Sequence, residues 1–319
     1  MNNDMIRFYD LHPPIADFKQ EVLTGLQTQP KALSPKFFYD KKGSVLFDKI
    51  TELPEYYPTR AELDILQTHC DEMADLLGDD CLLVELGSGS SQKIRTLLQT
   101  VKPAAYMPMD ISKQHLLDAA QTLSQDYPEL EIHATCADYS SDFDLPYRPE
   151  HLSRAAFFPG SSIGNFDPQH AQALLERVAN SLEKEGKLLV GVDLKKESDV
   201  LNAAYNDKQG VTAAFNLNLL DRINRELDGN FDLANFYHHA FYNETQGRVE
   251  MHLVSLAQQQ VSVGKQDFEF SAGESIHTES SYKYSVSQFH QLAAKAGFKP
   301  VKSWTDEQHL FSVHCLQVK

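Results

Sequence analysis

The chain has 319 residues, enough for one large domain or two modest ones with a real core. Hydrophobic residues make up 42% of it, and 45 acids against 29 bases leave a net charge of −16, which disfavours a nucleic-acid partner because phosphate binding needs a basic surface. No apolar run approaches the ~20 residues of a membrane span, no basic-then-apolar leader opens the chain, and four scattered cysteines without a C-x-x-C pair suggest neither a disulfide scaffold nor a metal knuckle; a cytoplasmic monomer without metal or membrane attachment is expected.

Residues 1–36 read as an extended lead with a helix near Ala16 to Leu26, punctuated by Pro13-Pro14, Pro30 and Pro35. A segment dense in aromatics yet broken by prolines follows from Lys36 to Glu62, with a turn expected at Lys41-Lys42-Gly43. Such a segment is not a simple core helix. Its Tyr39, Phe47, Tyr56 and Tyr57 suit either ordinary packing or a pocket wall. Thr59 and Glu62 spell T-x-x-E, a capping box for a helix running to about Leu77.

From Cys81 onward strands and helices alternate, the pattern of a parallel sheet. Strand Cys81 to Glu85 runs into Gly87-Ser88-Gly89-Ser90-Ser91, and a helix begins at Gln92. Glycines allow positive φ and close approach of a ligand to the backbone. The third glycine of the dinucleotide fingerprint is absent, which argues against a pyrophosphate on this turn. Glu85 gives the turn an acidic lip, better suited to a cationic or zwitterionic ligand such as S-adenosylmethionine. The next strand, Ala104 to Met109, ends in Asp110, placed to accept two ribose hydroxyls or to cap the following helix, with Ser112 as the other candidate cap. After Glu131 to Thr135, Asp138 and Tyr139 could hold an adenine amino group and stack on its ring. Three successive strand ends of this chemistry favour an adenosine site.

Strand Ala155 to Pro159 leads into Gly160-Ser161-Ser162-Ile163-Gly164-Asn165, then helix Pro168 to Leu182 and strand Lys187 to Leu194. The pattern changes over 196–284. Helices Asp199 to Tyr205 and Val211 to Leu227 precede strands Arg248 to Ala257 and Lys265 to Phe270, which are joined across Gln258 to Val261. Helix Ser285 to Ala296, stopped by Gly297, and strands Lys299 to Thr305 and Leu310 to Val318 complete the chain. The expected fold is α/β: a class I, Rossmann-like methyltransferase sheet with a terminal antiparallel hairpin, built from 61–195 and 285–319. A smaller α+β substrate domain is expected from 1–60 and 196–284.

Seven segments together carry a more specific signal: LFDKITELPEYYPTRAE (46–62), VELGSGSSQKIR (84–95), MDIS (109–112), FFPGSSIGNF (157–166), AYNDKQGVTAAFNLN (204–218), RVEMHLVS (248–255) and IHTESSYKY (276–284). In number and order they resemble the histidine Nα-methyltransferase family, which is S-adenosylmethionine-dependent and serves ergothioneine biosynthesis. The resemblance implies trimethylation of the α-amino group of L-histidine to hercynine, through the mono- and dimethylated forms. Gly87, Lys93, Asp110, Asp138 and Tyr139 match the donor contacts. Tyr56, Asn165 and Tyr205 match positions that hold the ends of the amino acid, and Glu279 and Ser281 match the readers of the imidazole. Tyr39, Phe47, Gly160 and Met251 match positions close to the reacting amine or the side-chain pocket. His277 stands where an arginine is common in the family, and Tyr284 where phenylalanine is common.

The residue types agree with these roles. Asn165 both donates and accepts, as a zwitterion requires. No strong base is evident, so water or Tyr39 would relay the amine's proton. Aromatic faces at Tyr39 and Phe47 suit a trimethylammonium product. Two other readings are an Nα-methyltransferase for a different aromatic amino acid such as tryptophan, and a non-catalytic cofactor-binding module. Glu279 with Ser281 opposes the first, since an indole offers a single N–H; intact Glu85, Gly87, Asp110 and Asn165 oppose the second.

Overall fold

A computed structural model describes residues 6–11, 15–89, 92–141 and 143–319, with backbone only for 15–17. Pro13-Pro14 and Ser90-Ser91, singled out above, lie outside the described residues. In chain order the elements are β1 (Ile6–Asp10), α1 (Ile15–Gln27), β2 (Lys31–Ala32), α2 (Lys41–Thr51), α3 (Tyr57–Leu77), β3 (Cys81–Leu86), α4 (Gln92–Leu97), β4 (Ala105–Asp110), α5 (Lys113–Asp126), β5 (Glu131–Cys136), β6 (Ser153–Phe158), α6 (Pro168–Leu182) and β7 (Lys187–Asp193). They continue with α7 (Ser198–Tyr205), α8 (Val211–Leu227), β8 (Phe236–Asn243), β9 (Arg248–Ser255), β10 (Gln259–Val263), β11 (Gln266–Phe270), β12 (Ser275–Tyr282), α9 (Val286–Lys295), β13 (Phe298–Thr305) and β14 (Phe311–Val318). Two compact units result. One gathers Met1–His12, Pro58–Lys195 and Tyr282–Lys319; the other gathers Pro13–Tyr57 and Lys196–Ser281.

The first unit is built on an eight-stranded sheet in the order β1-β5-β4-β3-β6-β7-β14-β13. β3 is buried at all six positions, as expected of a near-continuous apolar strand covered on both faces. Leu82, Val84 and Leu86 face one core with Leu174, Val178 and Phe289, while Cys81 and Leu83 face the other with Leu66, Ile94 and Tyr106. Successive strands run from β3 outward through β4 to β5, and then return to the other side at β6. That reversal makes the carboxyl ends of β3 and β6 a topological switch point, where open α/β sheets bind ligands. The terminal hairpin is antiparallel, and β14 inserts between β7 and β13. Its turn is held by Asp306, whose carboxylate accepts from the Phe311 and Gln308 N–H groups at 2.6 and 3.1 Å.

Three expectations need correction. Residues 1–60 do not all join the smaller unit: β1 pairs in parallel with β5 in the large sheet, and its Tyr9 phenol meets Nδ1 of buried His133 at 3.1 Å, on whose ring Tyr147 stacks at 3.7 Å. Lys41-Lys42-Gly43 is the first turn of α2, because Asp40 accepts the Gly43 N–H at 2.7 Å and so caps a helix. Gln258 to Val261 is not a plain connection, since β10 pairs with β11 as a hairpin.

The second unit holds a four-stranded sheet, β2-β12-β9-β8, and the β10-β11 hairpin. α8 packs its Phe215, Leu219 and Ile223 inward. Among the described residues no helix is long and apolar enough to cross a membrane.

Candidate active site

In the first unit the glycine turn is pinned to its neighbouring strand. The Gly87 and Ser88 N–H groups both donate to the Met109 carbonyl, at 2.8 and 3.2 Å. Gly87 has φ +71°, and a Cβ there would lie 3.3 Å from the Tyr139 phenol oxygen, so glycine serves both conformation and space. Asp110 stands at the end of β4, with Oδ2 accepting from Gly89 N–H at 3.2 Å and Oδ1 from Ser112 N–H at 2.8 Å. It therefore braces the turn; the N-cap position of α5 belongs to Ser112, whose side chain makes no capping bond. Burial pushes the Asp110 carboxyl above its usual range, opposed by those N–H donors.

Asp138 accepts from the Ser140 N–H at 2.9 Å and from the Ser140 hydroxyl. Tyr139 sits edge-on to Phe158, ring centres 5.6 Å apart, and burial raises its phenol well above the usual value. Glu85 is not a lip. It is 1% exposed and accepts from the Tyr106 phenol beneath the turn. Burial pushes its carboxyl up to about 8, against the opposing pull of Tyr106 and the Lys93 charge.

Glu62 is also not the capping residue that T-x-x-E suggested. Its side chain is fully buried, pairs with the Lys93 ammonium at 2.6 Å and accepts the Gly160 N–H at 2.9 and 3.1 Å. Gly160 has φ +79° and opens the loop after β6. In that loop the Ser161 hydroxyl accepts the Asp193 N–H at 2.9 Å, Gly164 lies against the Tyr282 backbone, and a short 3-10 helix, Ser162–Asn165, presents half-buried Asn165. Asp193 in turn pairs with Lys283 at 2.6 Å, both side chains buried.

The second unit assembles an aromatic wall. Tyr39, Phe47 and Phe215 meet ring to ring at 5.7–6.0 Å, Phe47 meets Tyr56 at 6.4 Å, and Tyr56 meets Tyr205 at 6.3 Å. Tyr39 precedes Asp40, which is fixed by Gly43, Asn218 and Arg225. Those donors hold the Asp40 carboxyl below its usual range despite the opposing effect of burial. Glu279 and Ser281 lie two residues apart on β12, which turns both to one face, and both are buried. The Tyr205 phenol donates to the Ser281 hydroxyl at 2.9 Å. Met251 is buried on adjacent β9, its carbonyl accepting from Thr278. His277 is pushed down to about 4 by burial and by His252, so it adds no positive charge beside Glu279 at neutral pH.

Glu85, Gly87, Lys93, Asp110, Asp138, Tyr139, Gly160 and Asn165 thus belong to the first unit, and Tyr39, Phe47, Tyr56, Tyr205, Met251, Glu279 and Ser281 to the second. Sequence reasoning missed Glu62, Tyr106 and Phe215. Glu62 was hidden behind a plausible cap; Phe215, in AAFNLN, carried no signal except its place in a shared segment. Among the described residues no group of three His, Cys, Asp or Glu side chains could hold a metal ion.

The chain matches, over residues 18–318, the family described as histidine-specific methyltransferase, SAM-dependent. It is 42% identical to a histidine N-alpha-methyltransferase of Mycolicibacterium smegmatis, covering 90% of this chain and 91% of the relative. A histidine N-alpha-methyltransferase of Mycobacterium tuberculosis is 41% identical over 91% of each chain. Ergothioneine biosynthesis protein 1 of Neurospora crassa is 30% identical, over 86% of this chain and 32% of that longer protein.

Proposed function

The chain belongs to the histidine-specific, S-adenosylmethionine-dependent methyltransferase family, and from that premise we propose that it methylates the α-amino group of free L-histidine stepwise to trimethylhistidine, the betaine used in ergothioneine biosynthesis. The observation that carries the choice of side chain is the buried Glu279–Ser281 pair on one strand face, with Ser281 tied to Tyr205. A carboxylate and a hydroxyl match the two nitrogens of an imidazole, one as acceptor and one as either partner.

The residues of the first unit fit an adenosine-bearing donor. Gly87 leaves room at the turn, Asp110 keeps lone pairs beyond the two N–H bonds it accepts, and Tyr139 supplies a ring beside Gly87. The donor brings a methyl group on a sulfonium. Lys93 and Asp138 complete the proposed donor site, and Glu85, buried beneath the turn on Tyr106, is proposed to support it from below. Asn165, Tyr56 and Tyr205 are proposed to hold the amino acid's charged ends, and Gly160 and Met251 to leave room and apolar surface near the amine and side chain. The amine attacks as a neutral nucleophile, the carbon–sulfur bond breaks, and the amine's proton leaves. Tyr39 is the proposed relay, accepting that proton on its oxygen as it passes its own to water. The rings of Tyr39, Phe47 and Phe215 offer faces to the cationic product.

Mass spectrometry of an incubation with the donor and a mixture of free amino acids tests this. Histidine alone should gain mass in steps of one methyl, ending at three. Gain on tryptophan or phenylalanine with histidine untouched would refute the assignment.

A further inference from the structure

We propose that Glu62 is a positioning residue for methyl transfer, acting through Lys93 and the Gly160 backbone; the proposal rests on the reading of Lys93 as a donor contact. Four separate parts of the first unit converge on this one carboxylate. α3 supplies Glu62 itself, fully buried. α4, the helix that follows the glycine turn, supplies the Lys93 ammonium at 2.6 Å. The loop that carries Asn165 supplies the Gly160 N–H at 2.9 Å to one oxygen and 3.1 Å to the other. β7 supplies the space: a Cβ on Gly191 would lie 2.0 Å from Oε1, so a side chain there would evict the carboxylate.

A buried carboxylate is tolerated only when paired and hydrogen-bonded. Here both compensating groups come from the segments that the proposed reaction must hold in register, the donor helix and the acceptor loop. Gly160 and Lys93 are themselves close, since a Cβ on Gly160 would lie 3.4 Å from Lys93 Nζ. Lysine carries a flexible stem and a point charge. Without Glu62, nothing in the described ion pairs fixes where that charge sits.

The test uses the full-length protein and calorimetric titration with S-adenosylhomocysteine, which reads the donor site whichever amino acid is methylated. Glu62→Gln keeps a carbonyl for the Gly160 N–H and removes the charge that holds Lys93. Loss of a charge-assisted bond should weaken binding at least about tenfold. In a Lys93→Met background the same change should weaken it far less, because partners in one interaction are not additive. Glu62→Asp, which keeps the charge but withdraws it by one methylene, should lie between. A purely structural Glu62 would lower thermal stability and leave the affinity for S-adenosylhomocysteine unchanged in the folded variants. The proposal is overturned if Glu62→Gln weakens binding by less than about tenfold, or if its effect persists undiminished with Lys93→Met. Failure of wild type to methylate histidine would refute the substrate assignment and leave this comparison intact.

Discussion

Asp110 already accepts one backbone N–H on each carboxylate oxygen, and each oxygen has a further lone pair to offer. Asp110→Ala removes the proposed ribose bonds, together about 1.5–3 kcal/mol, so donor affinity should fall about 10- to 150-fold. Titration showing unchanged affinity in a folded variant would reject the ribose role. Glu279 poses the corresponding question for the amino acid. A site built to hydrogen-bond a substrate group rejects analogues that leave its own atoms unpaired. Glu279→Ala should lower kcat/KM for histidine and narrow the histidine-to-phenylalanine ratio by more than the histidine loss alone; an unchanged ratio would disqualify Glu279. His314 on β14 makes a different prediction. It is buried among Ser312, Ser303 and His290, at 2.8, 2.9 and 3.1 Å, and burial pushes its pKa down to about 3 from the ordinary 6.5. The unfolded chain therefore binds this proton between about pH 6.5 and 3 while the folded chain does not. Stability should be full above that window and fall as pH drops through it, by up to about 1.4 kcal/mol per pH unit from this group. Urea unfolding across the window should show a smaller pH slope in His314→Gln than in wild type. Equal slopes would mean that His314 is not held neutral.

Among the elements, the loop from Gly160 to Asn165 is the most constrained. Gly160 and Ser161 both have positive φ, and Gly164 packs so closely that a Cβ would lie 2.7 Å from the Tyr282 carbonyl oxygen. A backbone atom cannot rotate aside as a side-chain tip can. Gly164→Ala should therefore cost about 1–3 kcal/mol, and the shift of the loop should raise KM for the amino acid more than Kd for the donor. A thermal melt and paired kinetics measure both; a variant with wild-type stability and KM would show that the loop yields freely. α2 teaches a related lesson. Lys41-Lys42-Gly43 has turn composition, yet a half-buried Asp40 with Gly43, Asn218 and Arg225 on it converts that turn into a helix start. Two of its three partners, Asn218 and Arg225, lie 178 and 185 residues from Asp40.

For the whole molecule, the division into two units gives a measurable expectation. The proposed donor contacts all lie in the unit built on the eight-stranded sheet. Hydrogen exchange with S-adenosylhomocysteine should slow the amides of Gly87 to Gly89, Asp110 to Ser112 and Asp138 to Ser140. The β10–β11 hairpin in the other unit should exchange as before. Protection confined to that hairpin, with the strand ends unchanged, would reverse the assignment. Edge strand β13 carries Lys299, Pro300 and Lys302 on its exposed run, a pattern that discourages pairing with another sheet.

The sequence by itself determined the alternation of strands and helices, the three strand ends Gly87, Asp110 and Asp138, and the family, because each is written in local periodicity or in contiguous segments. The helix starts near Pro168 and Ser285 were legible for the same reason, their capping partners lying within three residues. Tertiary structure alone decided the rest. Glu62 left its expected cap because Lys93 and Gly160, 31 and 98 residues away, offer a buried carboxylate its compensation. Glu85 left the lip for Tyr106 on the next strand, 21 residues on. β1 joined the large sheet through β5, more than a hundred residues later. In each case the deciding term is desolvation or a backbone pairing between segments far apart in the chain, and no local pattern encodes the partner of a buried charge or of a sheet edge.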